Sequence, residues 1–490
     1  VSTQILVSVD RSETRVAIIE DKQVVECHIE RRGRRSVVGH VWKGRVENVL
    51  AGMEAAFVDV GLPKHGFLHV DEVVALGVPK HKRQIAELLS RGKEILVQAV
   101  KDPMGTKGAR LTMQLSLAGR FLVYVPYGDG IGVSKRLGDE ERQRLRSICG
   151  SLPLKEGGLI VRTAAASASA RELARDLASL QLLWRALQER SEAAKAPTLL
   201  YSEADISLKV IRDLFGQHAD EVLVDDERQY ERIKNFLART SPELADAVRL
   251  YDGDAPLMEA HGVDAAIRST LDRRVPLASG GSLVIDDTEA MTVIDVNTGR
   301  NVGRGNVTLE ETITRTNLEA AREVVRQLRL RDIGGIVIID FIDMNEERNR
   351  RAVSAELEKA LSRDRTKTYV VDISPLGLVE MTRQNISDGP REILTVTCPT
   401  CSGDGVVESD ETRAIEVERQ LRAALAARSE ASLAVALHPS VAALFTDDEG
   451  ERVADLEAET GKRVRIEPDA SLAPGSLRVR AAAPADAAVA

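Results

Sequence analysis

A chain of 490 residues exceeds what one compact core organises, so two to four domains are expected. Hydrophobic residues at 43% and charged residues at 29% are ordinary for a soluble globular protein, and no apolar run approaches the roughly 18 residues that span a bilayer. The net charge of −9 does not exclude nucleic acid as a partner, because phosphate binding depends on local basic patches.

The opening VSTQILVSVD has neither a basic n-region nor a long apolar stretch and reads as no signal peptide. With only four cysteines, Cys27, Cys149, Cys398 and Cys401, a reducing cytoplasm is the expected location. Residues 4–30 read as strands, ILVSVD, TRVAIIE and VVECHIE, separated by polar turns. Arg31, Arg32, Arg34 and Arg35, with Lys43 and Arg45 beyond them, read equally as a phosphate-binding patch or a solvated loop. From residue 37 the strands become short and closely spaced: VVGHVWKGRVENVL, EAAFVDVG, HGFLHV and EILVQAV. That spacing predicts a small β-barrel such as an OB-fold. Phe57 and Phe67 lie on two of these strands and meet across the turn at residues 61–64. They are either barrel core or a pair of rings on which bases stack, and Lys107 in the GTKGAR loop would add a phosphate contact.

Further strands between 121 and 165 end in GLIVRTA, where Arg162 and Thr163 set a guanidinium fork beside a hydroxyl. The pair suits a terminal phosphate monoester; alone, the arginine also reads as a surface charge. Leu173, Leu177, Leu180, Trp184 and Leu187 recur at steps of three and four, which predicts one helix face, and Pro197 marks its end. Residues 204–274 alternate helical and strand-like pieces. From Gly280, GGSLVIDDTEAMTVIDVN reads as a hairpin with Asp286 and Asp287 in its turn. A helix over about 309–330 follows, with Ala321, Val324, Val325 and Leu328 in register, then the buried strand GGIVIIDFIDM. A helix carrying Val353, Leu357, Ala360 and Leu361 and a strand TYVVDIS complete a ββαβαβ order. This implies a layered α/β domain with a covered sheet. A helix and a small α/β segment come after residue 405, and the Ala-rich end beyond about 478 reads as disordered.

Two apolar strands finish in an acid, TVID at Asp295 and VIID at Asp340. Ligands of open α/β sheets collect outside the carboxyl ends of the strands, so one sheet can aim both acids into one crevice. Paired carboxylates repel unless a cation lies between them, and Mg²⁺ suits few hard oxygen ligands. Asn297 shares the face of Asp295, and Asp343 competes as a ligand. Strand-end acids also serve as caps and ion-pair partners, so pattern alone leaves that reading open. Cys398 and Cys401, in CPTCSGDG, form a tight turn that points two thiolates at one metal. A structural Zn²⁺ wants four ligands, and an identical second chain would supply the other two, which predicts a homodimer. Cys27 and Cys149 read as core fillers. A redox pair would need a helix N-terminus, and a Ser-Gly-Asp-Gly loop follows instead.

The blocks IDVNTGR, NLEAAREVVRQLRLRDIGGIVIIDFIDM, GLVEMTRQ and CPTC resemble the RNase E/G family, as do SETRVAIIE, GMEAAFVDVG, KDPMGTKGARLT and GLIVRTAA. The similarity runs from about residue 4 to 470. It implies a Mg²⁺-dependent endoribonuclease that hydrolyses single-stranded RNA to 5′-phosphate and 3′-hydroxyl ends. The family's Mg²⁺ ligands fall on Asp295 and Asp340 and its supporting amide on Asn297, which leaves Asp343 a neighbour. Its RNA contacts fall on Phe57, Phe67, Lys107 and Lys367, the last an arginine in some members. Its 5′-monophosphate sensor falls on Arg162 and Thr163, and its subunits join through a shared Zn²⁺ at Cys398 and Cys401. The implied fold is multi-domain α/β and β. An RNase H-like unit (1–36 and 209–274) is interrupted by an OB-fold barrel (37–125) and a 5′-sensor segment (126–208). A DNase I-like catalytic α/β domain (275–396), a zinc link (397–407) and a small C-terminal α/β domain (408–490) follow. Ending at Ala490 without a long Arg- and Pro-rich tail, the chain resembles the family's short form, whose implied roles are ribosomal RNA maturation and mRNA decay. Two other readings stand beside this one, an RNA-binding protein without catalysis and a nuclease acting on DNA.

Overall fold

The computed structural model describes residues 2–33, 35–75, 77–103, 107–215, 219–299, 308–371, 373–374, 376–384, 389–446 and 451–482. The chain forms two compact units, Val1–Leu394 and Thr395–Ala490.

In the first unit, β1 (Thr3–Val9), β2 (Glu13–Glu20) and β3 (Gln23–Arg31) make an antiparallel meander. Then β4 (Val41–Leu50), β5 (Ala55–Asp59), β6 (Gly66–His69), β7 (Glu94–Lys101) and β8 (Arg110–Thr112) close a five-stranded barrel in the order β4-β5-β6-β8-β7-β4. Only β6 and β8 run parallel within it. Alternate residues fill the interior: Val46, Ala56, Val58, Leu68, Val97 and Leu111 are all buried. Gly66 is glycine because a methyl there would overlap the Leu111 side chain. The small barrel expected from strand spacing is therefore present.

The strands β9 (Leu117–Ala118), β10 (Leu122–Val125), β11 (Ile131–Val133) and β12 (Gly158–Val161) form a second sheet in the order β11-β12-β10-β9. The helix Ala170–Ala193 covers it, with Leu173, Leu177, Leu180, Trp184 and Leu187 all buried, as their spacing predicts. A capping box of Ser169 and Glu172 starts that helix. β13 (Thr198–Tyr201) returns to pair with β4. After it, β14 (Glu221–Val224) and β15 (Val248–Leu250) add in parallel to β1, giving the order β15-β14-β1-β2-β3. The barrel and the second sheet are thus an excursion out of a sheet built from two distant stretches of chain.

The last sheet of this unit holds β16 (Arg274–Pro276), β17 (Ser282–Asp287), β18 (Met291–Asn297), β19 (Gly335–Asp340), β20 (Thr368–Val370) and β21 (Leu378–Arg383). Their order is β16-β17-β18-β19-β21-β20. The helices Leu309–Leu330 and Glu347–Leu361 pack on one face. There Ile294, Val296, Val337, Ile339, Val379 and Met381 meet Ala321, Val324, Leu328, Val353 and Leu357. The opposite face leaves Met291, Asp295, Asn297, Ile336, Asp340, Glu380 and Thr382 exposed. The sheet expected to be covered is covered by helices on one side only among the described residues, because every strand alternates and sends its second set of side chains away from them.

In the second unit, β22 (Ser432–Leu437), β23 (Arg463–Pro468) and β24 (Leu477–Ala481) pair in the order β23-β22-β24. The helices Asp410–Ala426, Pro439–Thr446 and Glu451–Thr460 build its core around Val417, Leu421, Val435 and Phe445. The expectation of disorder from about 478 is corrected here, since β24 is laddered to β22 from Leu477 to Ala481. Residues 483–490 lie outside the described residues.

Candidate functional site

β18 and β19 are adjacent parallel strands, and Asp295 is the register partner of Asp340. Register partners point to the same face, so both carboxylates leave the open side of the sheet at the strands' carboxyl ends. The Asn297 Nδ2 donates to Asp295 Oδ2 at 2.7 Å, which fixes that carboxylate in a defined rotamer. The Asp340 carboxyl is held above the usual carboxylate range by partial burial, by Asp295 and by Asp343. Two carboxylates and a carboxamide on one face, one acid already destabilised by like charge, fit a hard divalent cation that keeps most of its waters. No group of three or more His, Cys, Asp or Glu stands together as a closed metal cage among the described residues. Asp286 and Asp287 stand apart from this pair, held by Arg273 and Arg391 respectively.

Three residues of the helix Leu309–Leu330 tie down the loops around these acids, and none is legible in the sequence. Asn317 bonds both polar atoms of Ile342, donating to its carbonyl at 2.8 Å and accepting from its N–H at 3.2 Å. Glu319 accepts from the backbone N–H groups of Ala278 and Ser279. Glu310 accepts from Glu346 N and from the side chain of Asn349. A carboxylate or amide in a helix is an ordinary polar residue until packing shows which loop it faces.

On the barrel, Phe57 and Phe67 are register partners with ring centroids 6.0 Å apart at 69°. Both are half-buried, whereas their neighbours Ala56, Val58 and Leu68 fill the interior. The rings therefore lie on the outer face and are not core. The same cross-strand row continues through Asn48 on one side and through Arg110 and Lys101 on the other. Arg110 is a cation that sequence reasoning missed, since only register puts it beside Phe67. Lys107 is exposed in the preceding loop.

Arg162 directly follows β12, and its Nη1 donates to both Asp213 Oδ1 and the carbonyl of Gly119, each at 2.7 Å. Burial alone would raise the Asp213 carboxyl, but Arg212 and Arg162 hold it below its ordinary range. The Thr163 hydroxyl lies 2.9 Å from that of Ser134. Arg136 of the same loop donates to the carbonyl of Thr366 at 2.9 Å, next to the exposed Lys367. The basic cluster of the sequence is dispersed: Arg31 pairs with Glu13, and Lys43 and Arg45 hold the carbonyls of Ala194 and Ala196. Arg34 lies outside the described residues.

In the second unit, Cys398 is exposed and Cys401 partly so, within a turn closed by Ser402 N to Cys398 O at 2.8 Å. Hydrogen bonds from Cys401 and Thr400 hold the Cys398 thiol below its ordinary range, which favours the thiolate a metal binds. The next helix starts only at Asp410, capped by Ser409, so neither sulfur sits at a helix N-terminus. Two sulfurs are half of a tetrahedral zinc set. Cys27 and Cys149 are buried.

A family model described as the Ribonuclease E/G family matches residues 116–386, and one described as the RNase E/G thioredoxin-like domain matches 397–482. Ribonuclease G of Salmonella typhimurium (strain SL1344) is 42% identical over 95% of this chain and 97% of its own length. Ribonuclease G of Haemophilus influenzae is 40% identical over 95% of this chain and 96% of its own. Ribonuclease E of Escherichia coli (strain K12) is 38% identical over 84% of this chain but only 39% of its own length.

Proposed function

The chain belongs to the ribonuclease E/G family and is an endoribonuclease, and from that premise we propose that it cuts single-stranded RNA with Asp295 and Asp340 as the ligands of a catalytic Mg²⁺. The single observation that carries this reading is the register pairing of the two acids on the open face of one sheet. Bound there, Mg²⁺ would supply Lewis-acid stabilisation of the charge that develops on the phosphoryl oxygens. Asn297 keeps the Asp295 carboxylate oriented through its 2.7 Å bond. Phe57 and Phe67 stack bases of the substrate, and Arg110, Lys107 and Lys367 neutralise its backbone. Arg162 and Thr163 receive a 5′-monophosphate, which accelerates cleavage of RNA carrying one. The reaction leaves 5′-phosphate and 3′-hydroxyl ends and serves ribosomal RNA maturation and RNA decay.

We further read the β15-β14-β1-β2-β3 sheet as RNase H-like, supported by three antiparallel strands followed by two parallel additions. The closed barrel is read as an OB-fold, supported by its parallel β6–β8 pair. The six-stranded sheet is read as DNase I-like. Cys398 and Cys401 share a structural Zn²⁺ with a second copy of the chain.

Two substitutions and one substrate pair test the central reading. Asp340→Asn should abolish cleavage of a short single-stranded RNA while leaving its binding in EDTA intact; undiminished turnover rejects the assignment. With the wild-type enzyme, a 5′-phosphorylated oligonucleotide should be cut faster than its 5′-hydroxyl twin, and Arg162→Ala should erase that difference. Equal rates in the wild type remove the sensor.

A further inference from the structure

Asn317 has no exposed surface, and its neighbours on the same helix face, Ala320, Ala321 and Val324, are apolar and equally buried. A primary amide in such a setting is costly unless every polar atom is matched. Both of its polar groups are matched, and both by the same residue, Ile342. Ile342 lies on the segment that leaves β19, between Asp340 and Asp343. On either side of it Phe341 and Met344 are buried in the core, so the segment is anchored by packing and fixed in rotation by the amide. Two turns earlier on the same helix, Glu310 holds the following stretch at Asn345 and Glu346. Packing alone needs no carboxamide at this position, since its neighbours on the same face fill the core with apolar side chains. The amide adds control of the peptide orientation immediately beyond Asp340.

We propose that Asn317 is a positioning residue of the endoribonuclease: through the Ile342 peptide it holds Asp340 and Asp343 in fixed relation to Asp295, and so sets the affinity of the acids for a divalent cation. The inference rests on the reading of Asp295 and Asp340 as cation ligands. Groups that orient metal ligands from behind typically cost 10–100-fold in metal affinity when removed, and an effect of about that size is expected here.

The test is titration of RNA-free protein with manganese(II), followed by electron paramagnetic resonance. Asn317→Ala should bind manganese about 10–100-fold more weakly than wild type. Val324→Ala, in the same helix and core but at an apolar side chain that makes no hydrogen bond to Ile342, should lower Tm comparably and leave manganese affinity unchanged. In cleavage assays Asn317→Ala should show a lowered kcat that raising Mg²⁺ partly restores, with KM for RNA unaltered. Equal manganese affinity in Asn317→Ala and wild type overturns the proposal, as does an equal loss in Val324→Ala. Wild-type protein with no manganese site that Asp340→Asn removes would overturn the cation reading itself, and this inference with it. Hydrogen exchange on the wild type gives a readout that does not depend on a variant folding. The Ile342 amide should be protected, and manganese should protect it further while leaving the Val324 amide unchanged; an Ile342 amide that exchanges freely or ignores manganese overturns the clamp.

Discussion

Glu26, on β3, is 8% exposed and faces the buried Arg329 at 2.9 Å and Arg365 at 2.7 Å. Burial alone would raise its carboxyl, yet Arg365, His28 and Arg329 pull it well below the usual range. Breaking a buried pair by removing one partner strands the other charge, so Glu26→Gln should cost about 3 kcal/mol in urea unfolding at pH 7. A depressed carboxylate contributes stability above its unfolded pKa and loses it as pH falls through the folded value. The gap between wild type and Glu26→Gln should therefore be full above about pH 5, begin to close below about 4, and vanish only in strong acid. A gap that widens on acidification would contradict the assignment. On the barrel, Phe57→Ala and Phe67→Ala should each weaken single-stranded RNA binding by about 1–3 kcal/mol with little change in Tm, measured by fluorescence anisotropy in EDTA. A large drop in Tm with unchanged binding would mean the rings support the barrel and do not meet RNA. The positions of Asp295 and Asp340 at strand ends and of the two phenylalanines on facing strands were legible because strand ends and two-residue alternation are written locally, whereas the roles expected of them came from the family resemblance. Asn317, Arg110 and Asp213 were not. Their roles come from which distant segment lies opposite, and that is a property of packing.

Strand pairing explains why some elements were readable and others shifted. The helix Ala170–Ala193 was foreseen from its apolar spacing because all five marked positions point into one core. β24 was missed because RVRA alternates small and charged residues on an edge, and Ala-rich composition masked a strand that β22 recruits through the ladder. Dispersal of the basic cluster has the same origin: Lys43 and Arg45 sit on β4 where the chain after the long helix passes, and its carbonyls claim them. Elements also predict what small changes do. A methyl on Gly108 would collide with the carbonyl oxygen of His65, backbone that cannot step aside. Gly108→Ala should therefore displace the start of β8, lower Tm, and weaken RNA binding through Lys107 and Arg110 together. Lys107→Ala should weaken binding alone. Identical behaviour of the two variants would show that the strand start has no part in presenting those cations.

At the scale of the molecule, the exposed Cys398 and partly exposed Cys401 offer half a zinc site, so assembly is expected to be metal-dependent. Cys398→Ser, or prolonged chelation, should convert a dimer to a monomer in sedimentation velocity at unchanged secondary structure. A monomeric wild type carrying stoichiometric zinc would remove the shared site. The sheet built from both sides of the excursion has a different consequence, for synthesis. Leu6 and Val7 on β1 are fully buried in the finished protein, but the partner that covers that flank, β14, begins only at Glu221. At bacterial-to-eukaryotic translation speeds of roughly 5–20 residues per second, β1 waits about 10–40 s on the ribosome with one edge open. Nascent chains stalled before residue 221 should thus engage holdase chaperones through their first strands and release them once residue 250 has emerged.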